Sequence, residues 1–251
     1  MKAPSSAPLR PDVLRVLQSK SETKAFYNKI SRVYDLLSDR SEAPVREAAL
    51  RLLAAAKGET VLEIGFGSGH CLVALAKAVG PTGKVYGIDL SDRMVELARK
   101  NLARERLLAR ADLVCGDASS LPYPDSSLDG LFMCFTLELF DTPEIPKVLR
   151  ECKRVLRPGG RIVVASMTKK EARGLVVRAF EWTHRHFPNF LDCRPIYVRR
   201  AVEEAGFKVR RTIRMQMWVP VAIVLGTKPG KGGRGPYRPD RDRDEGDEDE
   251  Y

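Results

Sequence analysis

The sequence predicts an α/β protein built on a doubly wound sheet of seven strands, mostly parallel, with a C-terminal antiparallel hairpin. Short runs rich in Val, Ile and Leu alternate with amphipathic helical patterns from residue 60 to 166. This alternation is typical of a parallel sheet that helices cover on both faces. Two further β segments follow with a couple of residues between them, which indicates a hairpin. The composition, 43% hydrophobic and 30% charged, is that of a folded chain with a core.

Five strands are expected in the central part of the chain: TVLEI (60–64), KVYGID (84–89), DLVCG (112–116), LDGLFMCF (128–135) and RIVVAS (161–166). Ser91 is a possible N-cap of the helix after the second strand. A later helix is expected from Pro143 to Leu156, stopped by the Pro-Gly-Gly run that follows. The last expected elements are a helix over 195–205 and strands near 207–214 and 217–226.

Two helices are predicted before the first strand. Five apolar residues form one helical stripe: Phe26, Ile30, Val33, Tyr34 and Leu37. A second helix is expected to follow Pro44 and to run through Ala56. Residues 1–20 carry three prolines among small and basic residues and are predicted to be a mobile N-terminal arm.

The formal net charge is +10, and it is unevenly distributed. Residues 144–214 contain 18 basic and 7 acidic residues, a net charge of +11. This stretch predicts either a basic face that contacts an anionic surface or RNA, or a set of solvated helix surfaces. The sequence leaves both interpretations open.

The five cysteines form no CxxC pair and no Cys/His metal-ligand spacing. We therefore expect free thiols, with no disulfide and no metal site. The longest apolar run, 217–226, is about half of what spans a bilayer, and the first residues lack the apolar stretch of a signal peptide. These features predict a cytoplasmic protein without stable membrane insertion.

A glycine loop follows the first strand and precedes a helix, in the segment VLEIGFGSGH. Gly65, Gly67 and Gly69 would let the backbone turn sharply and approach a ligand, while the helix N-terminus offers unpaired N–H groups. The dinucleotide pattern GxGxxG would need a glycine at His70, so the spacing is GxGxG instead. Asp89 ends the next strand, where a carboxylate can accept both hydroxyls of a ribose; a helix-capping or solvated role is the alternative.

These segments resemble the class I S-adenosylmethionine-dependent methyltransferases, and are similar to the ubiquinone/menaquinone biosynthesis type. The motifs that carry the resemblance are FYNKISRVYD, LEIGFGSG, GIDLS, GDASSLPYPDSSLD and RVLRPGGRIVV, and it covers about residues 22–227. It implies a Rossmann-like fold, S-adenosyl-L-methionine as the cofactor and methyl transfer as the activity. Leu72 and Cys134 stand where the quinone enzymes tend to carry Thr and Ser. The quinone-enzyme pattern that usually follows the YD of the first motif is replaced by LLSDRSEAPVREA, so the acceptor stays open.

Composition predicts an arm (1–20) and a disordered charged tail (228–251), and the resemblance implies a methyltransferase domain between them (21–227). Within the domain it implies N-terminal helices (21–57), a cofactor-binding core (60–166), a substrate-side insertion (167–194) and a C-terminal helix with its hairpin (195–227).

Roles for single residues follow from the same resemblance. Glu63 and the glycine loop would hold the methionine moiety, and Asp89 the ribose. Leu90 would pack on the adenine, while Asp117 and the backbone of Ala118 would meet the adenine edge. Cys134 is expected to be a small apolar residue of the methyl-donor pocket, because it lacks the preceding proline of a pyrimidine-methylating nucleophile.

The expected reaction is transfer of a methyl group to C or O of a small apolar or aromatic metabolite, quinone- or lipid-like. His184 and His186 are weak candidates for a general base, with an exposed pair in a basic helix as the alternative. Tyr27 and Tyr34 lie two helical turns apart and are candidates for a lid over the cofactor, or else for the core. Methylation of RNA or protein, and a non-catalytic binding module of the same fold, remain as alternative functions.

Overall fold

The computed structural model describes residues 13–16, 18–30, 34–169 and 193–230. Its strands are β1 (Thr60–Ile64), β2 (Lys84–Asp89), β3 (Ala111–Cys115), β4 (Leu128–Cys134), β5 (Leu156–Met167), β6 (Lys208–Gln216) and β7 (Pro220–Thr227). Its helices are α1 (Lys20–Ile30), α2 (Tyr34–Leu53), α3 (His70–Val79), α4 (Asp92–Arg104), α5 (Ile145–Val155) and α6 (Val198–Glu204), with single 3₁₀ turns at Leu108–Arg110 and Leu137–Leu139.

The seven strands of the described residues form one sheet in the order β3-β2-β1-β4-β5-β7-β6. The five strands from β3 to β5 pair in parallel, while β7 is antiparallel to both β5 and β6. The predicted fold class, a mostly parallel sheet with an antiparallel C-terminal hairpin, is thereby confirmed. Because β1 lies between β2 and β4, the strand order reverses beside it, and α/β sheets bind ligands outside the carboxyl ends of the strands at such a point.

The central strands β1, β4, β5 and β7 are buried on both faces, as their apolar sequences predict, whereas the edge strands β3 and β6 are partly exposed. Along β4, Leu131 belongs to one apolar cluster and Phe132 to the cluster on the other face. All eight residues of β7 are buried, which suits a strand with neighbours on both sides. No helix in the described part of the chain is long and apolar enough to cross a bilayer.

The first two helices differ from the prediction. The helix α2 does not begin after Pro44 but ten residues earlier, and Pro44 lies inside it. The predicted stripe from Phe26 to Leu37 is also divided, because α1 ends at Ile30. A proline costs a helix one N–H bond and a steric clash, but a kink can accommodate both when the flanking turns are anchored. Here the later turns are anchored by Val45 and Ala49, which are fully buried.

The fifth strand begins earlier than predicted. The chain enters β5 at Leu156, directly after α5, so the Pro-Gly-Gly run lies inside the strand. Leu156 pairs with Leu128, and the register then shifts until Arg161 pairs with Gly130. The intervening residues form an irregularity in which Gly159 has φ +81°, a backbone conformation that glycine adopts without strain.

Candidate functional site

A cleft that is open to solvent lies at the carboxyl edge of the sheet. Its floor comes from the ends of β1 and β2, one wall from the segment after β3, and another from the segment after β4. Its cover consists of Val16, Gln18, Lys20, Thr23 and Tyr27. The cleft therefore occupies the place where the strand order reverses.

The glycine loop forms the floor of the cleft. Gly65, Gly67 and Gly69 have φ values of +68°, +53° and +89°, which L side chains rarely adopt. A Cβ atom at Gly65 would approach the Thr136 side chain to 2.2 Å, and one at Gly69 would approach the Cβ of Ala98 to 2.8 Å. Only glycine therefore fits this loop, as its sequence predicted. Gly65 and Gly67 line the cleft, whereas Gly69 lies beneath it as the N-cap residue of α3.

Asp89 connects the glycine loop to the end of β2. Its carboxylate accepts hydrogen bonds from the backbone N–H groups of Gly67 (3.0 Å) and Ser91 (2.9 Å). Burial raises the pKa of Asp89 to about 6, and those backbone bonds oppose the rise. The N-cap of α4 is Ser91, as predicted, since its Oγ accepts the N–H of Met94 at 3.1 Å. The carboxylate is consequently directed at the loop and the cleft.

The wall after β3 carries a second acidic group, Asp117, next to Ala118 and opposite Leu90. Its Oδ2 atom lies 2.5 Å from Nζ of Lys20, which also lies 2.8 Å from Oε1 of Glu144. Burial alone would raise the pKa of Asp117, but hydrogen bonds from Lys20 and Ser119 outweigh it and lower that pKa. Lys20 thus joins two walls of the cleft across its mouth.

The wall after β4 combines apolar and strained residues. Phe135 has φ +52°, an uncommon conformation for a bulky residue and one that tends to mark functional sites. It lies between Cys134 and Thr136, and all three line the cleft. Burial raises the pKa of the Cys134 thiol well above its usual value, so this cysteine is a neutral apolar residue and not a thiolate. Further along, Leu139 and Phe140 give the cleft an apolar end.

Two carboxyl groups are buried close to the cleft. Glu63, on β1, is 2% exposed, and burial followed by the charge of Asp89 raises its pKa well above the usual value. Glu138 is fully buried, and burial raises its pKa to about 7. Among the described residues, Oε2 of each has no hydrogen-bond partner. Such groups favour a cationic or hydrogen-bonding neighbour.

A segment that we name the strap, residues 13–16 and 18–20, passes over the cleft. Val13 and Val16 are buried, and Arg15 forms a two-pronged ion pair with Asp141 in which the closest atoms are 2.5 Å apart. This is the described part of the predicted mobile arm, and it is packed. The burial of its two valines and its ion pair depend on residues of the opposite wall, so the sequence of the segment alone does not predict them.

Arg194 connects the strap to the segment after β4 through hydrogen bonds. Its guanidinium is 1% exposed and donates to the carbonyl oxygens of Leu14, Glu138 and Phe140 and to Oγ1 of Thr142. Burial lowers the pKa of Arg194 to about 10, a shift that the charges of Asp141 and Glu138 oppose. One side chain therefore joins the strap to the segment after β4.

The structure brings most of the predicted site residues together. The cleft is lined by Gly65, Gly67, Asp89, Leu90, Asp117, Ala118, Cys134 and the lid candidate Tyr27. Glu63 lies behind the floor. The side chains of Tyr34, His184 and His186 fall outside the described residues.

Sequence reasoning missed the strap and the wall from Phe135 to Glu144. The second of these had a signal, because residues that follow a parallel strand reach the binding edge of the sheet.

A reversal of strand order at a GxGxG loop, with acidic residues after β2 and β3 and an antiparallel last pair of strands, defines the class I methyltransferase fold and its nucleoside-binding cleft. Comparison with known proteins agrees. A family model described as a methyltransferase domain matches residues 61–160. The crystal structure of a SAM-dependent methyltransferase from Aquifex aeolicus has a TM-score of 0.60 at 26% identity, covering 79% of this chain and 98% of that one.

Two similar proteins indicate which group of methyltransferases the chain resembles. A demethylmenaquinone methyltransferase of Geobacillus sp. (strain WCH70) is 34% identical over 151 residues, 58% of this chain and 63% of that protein. One from Staphylococcus aureus (strain JH9) is 34% identical over 214 residues, 75% of this chain and 86% of that protein. The match with the Geobacillus protein thus spans less than two thirds of its length. The chain belongs to the S-adenosylmethionine-dependent methyltransferase family that includes these menaquinone-type enzymes.

Proposed function

We propose that this protein transfers the methyl group of S-adenosylmethionine to a carbon or oxygen atom of a small apolar or aromatic acceptor, quinone- or lipid-like. The observation that carries the proposal is one continuous cleft with two unlike ends. Asp89 and Asp117 line what we call the polar end. Val16, Leu139 and Phe140 line what we call the apolar end, where the carboxylates of Asp141 and Glu144 are paired with Arg15 and Lys20. The similarity to demethylmenaquinone methyltransferases supports the same class of acceptor.

The polar end fits the cofactor by the chemistry of its groups. The Asp89 carboxylate would accept the ribose hydroxyls, and Asp117 would accept the adenine amine beside the apolar slot of Leu90 and Ala118. The unpartnered oxygen of Glu63 suits the cofactor's ammonium group, directly or through a water. When bound, the cofactor supplies an already activated methyl group as a sulfonium.

The protein's remaining tasks are to orient the acceptor and to exclude water. The strap covers the apolar end, and the Arg15–Asp141 pair closes it. A phenolic acceptor would also need a base. Of the acidic groups on this wall, Asp141 is held by Arg15 and Glu144 by Lys20. Glu138 is fully buried and does not line the cleft, so His184 and His186 remain candidates.

Methylation of RNA or protein is the second candidate function, and the distribution of charge weighs against it. Several arginines of the basic stretch 144–214 are buried or paired within the fold. Arg161 and Arg194 are buried, and Arg199 and Arg200 pair with glutamates four residues on. These arginines of the described residues are therefore not available to an RNA, so the net charge of +11 overstates the basic surface of this stretch.

The test is transfer of labelled methyl from S-adenosylmethionine into a lysate of the source organism lacking this gene, followed by separation into lipid, small-molecule, RNA and protein fractions. We expect label in the lipid or small-molecule fraction, and less of it with Asp89→Ala protein at a limiting concentration of S-adenosylmethionine. Label in RNA or protein would replace the proposed acceptor. No label in any fraction, with cofactor binding intact, would favour the binding module.

Replacing Lys20 should open the mouth of the cleft. Lys20→Met removes both partly exposed ion pairs that join the walls, each worth up to about 1 kcal/mol. We expect S-adenosylhomocysteine to dissociate about two- to fivefold faster in stopped-flow displacement. Lys77→Met, which breaks an exposed 2.7 Å pair with Glu105 away from the cleft, is the matched control and should not change the rate. An unchanged or slower rate for Lys20→Met would contradict the bridging role.

Cofactor affinity should depend on pH through Asp89. Hydroxyl donors prefer the carboxylate, so binding lowers a pKa that is about 6 in the free protein. Affinity for S-adenosylhomocysteine should be constant above that pH and fall by up to about tenfold per pH unit below it. The free energy of unfolding depends on pH in the opposite direction. Because the pKa of Asp89 is higher in the folded than in the unfolded protein, the protonated group stabilises the fold at low pH. This stabilisation is lost as the pH rises from the ordinary pKa of an aspartate to about 6. Calorimetric titration of S-adenosylhomocysteine into the wild type and Asp89→Asn at several pH values measures the change in affinity. The affinity of the variant should not fall near pH 6.

A further inference from the structure

The exposed edge of the sheet is basic along its whole length. The strand β6 is the last in the sheet, and its Lys208, Arg210, Arg211 and Arg214 are all exposed. The sequence has no acidic residue between 205 and 230. We name these four residues the basic edge. Charges on an outer strand hinder pairing with other chains, and this alone would explain them.

The tip of the hairpin adds a feature that edge protection does not explain. Trp218 lies in the turn between β6 and β7 and is 50% exposed, one of two large hydrophobic side chains of the described residues that are exposed. Met217 beside it is partly buried. An aromatic side chain of this size is costly to leave in water, and its presence at a hairpin tip indicates a surface that meets an apolar or interfacial partner.

The direction of the strands brings this tip to the cleft. Because β7 is antiparallel to both β5 and β6, β6 runs parallel to β5 and ends at the carboxyl edge of the sheet. Val219, next to Trp218, is buried with Met167 at the end of β5, and Phe135 packs against that pair. Phe135 also lines the cleft. A single layer of side chains thus separates the base of the hairpin tip from the cleft.

We propose that the basic edge and Trp218 dock the protein on an anionic lipid surface, with the mouth of the cleft close to the bilayer. Tryptophan prefers the membrane–water interface, and basic residues near an anionic leaflet are attracted to its headgroups. The combination would bring the apolar end of the cleft to the phase in which an apolar acceptor dissolves. In that respect the inference rests on the proposed function.

An RNA partner would use the same charges, but the structure favours lipid on two grounds. Among the described residues, Trp218 is the one exposed large aromatic side chain, whereas single-stranded RNA is usually bound by several stacking side chains along a basic groove. The neighbouring cleft wall, with Phe135 and Leu139, is also apolar, which suits a lipid-like molecule more than a nucleotide.

The test measures vesicle binding directly. The sequence has two tryptophans, so Trp182→Phe leaves Trp218 as the only indole fluorophore. In this background we expect co-sedimentation with vesicles of phosphatidylcholine mixed with phosphatidylglycerol, weakening with salt, and a blue shift of Trp218 emission. Pure phosphatidylcholine vesicles should bind far less. Arg211→Gln with Arg214→Gln should weaken binding about 25-fold, about fivefold for each charge removed.

The matched control is Lys100→Gln with Arg104→Gln, which removes two exposed charges from α4 at the other side of the sheet. It should bind vesicles like the wild type. An equal loss in both double variants, unshifted Trp218 emission, or Arg211- and Arg214-dependent binding to a single-stranded RNA with no binding to vesicles would each overturn the proposal. Calorimetry with S-adenosylhomocysteine, expected to be unchanged in both variants, separates these results from a failure of the proposed methyl transfer.

Discussion

Asp89→Ala should weaken binding of S-adenosylhomocysteine by about 1–3 kcal/mol, or about 5- to 150-fold in Kd. The variant loses the acceptor that the proposed site offers to the ribose. It also loses the carboxylate that holds the backbone N–H of Gly67 at 3.0 Å and so fixes the glycine loop. Isothermal titration calorimetry at a pH above 7, where the wild-type carboxylate is ionised, measures the change.

Asp89→Asn separates the two contributions. The amide oxygen can still accept the N–H of Gly67 or of Ser91, but it carries no charge and accepts fewer bonds than a carboxylate. We expect its affinity to lie between those of the wild type and Asp89→Ala. A melting curve verifies that both variants fold. Wild-type affinity in the alanine variant would show that the ribose binds elsewhere in the cleft.

Arg194→Met should lower the free energy of unfolding by about 3–5 kcal/mol, the range for removing one partner of a buried charged network. The substitution leaves the carbonyl groups of Leu14, Glu138 and Phe140 without their donor, inside the protein. Urea unfolding measures the loss. The strap should also detach, which hydrogen exchange at Val13 to Val16 would detect as faster exchange.

Arg161→Met provides the comparison, because Arg161 is also buried. It donates to the carbonyls of Leu53 and Ala54 and lies 2.7 Å from Glu59, but it does not contact the strap. We expect a similar loss of stability from this variant with normal exchange in the strap. If Arg194→Met left exchange of the strap unchanged, the proposed link between Arg194 and the cover of the cleft would be wrong.

The sheet and the floor of the site were predictable because their signals are local. A strand that is buried on both faces is a short apolar run. A backbone that turns sharply and lies close to a ligand needs glycine. Both patterns are therefore found within a few consecutive residues. Asp89 and Asp117 follow the same rule, since Asp89 ends β2 and Asp117 lies two residues after the end of β3.

The cover and the wall after β4 have no such local signal. Arginine is mostly a surface residue, and nothing around Arg194 in the sequence indicates that it is buried against carbonyl groups more than 50 residues away. The ion pair between Arg15 and Asp141 joins residues 126 positions apart. The irregularity in β5 depends in the same way on its partner strand, because the register shift is a property of the pair.

The strap has a consequence for the order of events in turnover. Cofactor and acceptor would share one cleft under a single cover, which is fastened by the Arg15–Asp141 pair, by Lys20 and by Arg194. Release of the spent cofactor should then be slowed while these contacts are formed. Closure of this kind makes product release slow relative to chemistry. The first turnover should therefore be faster than those that follow, as a burst of methylated product, and added salt should accelerate the later ones by weakening the exposed ion pairs.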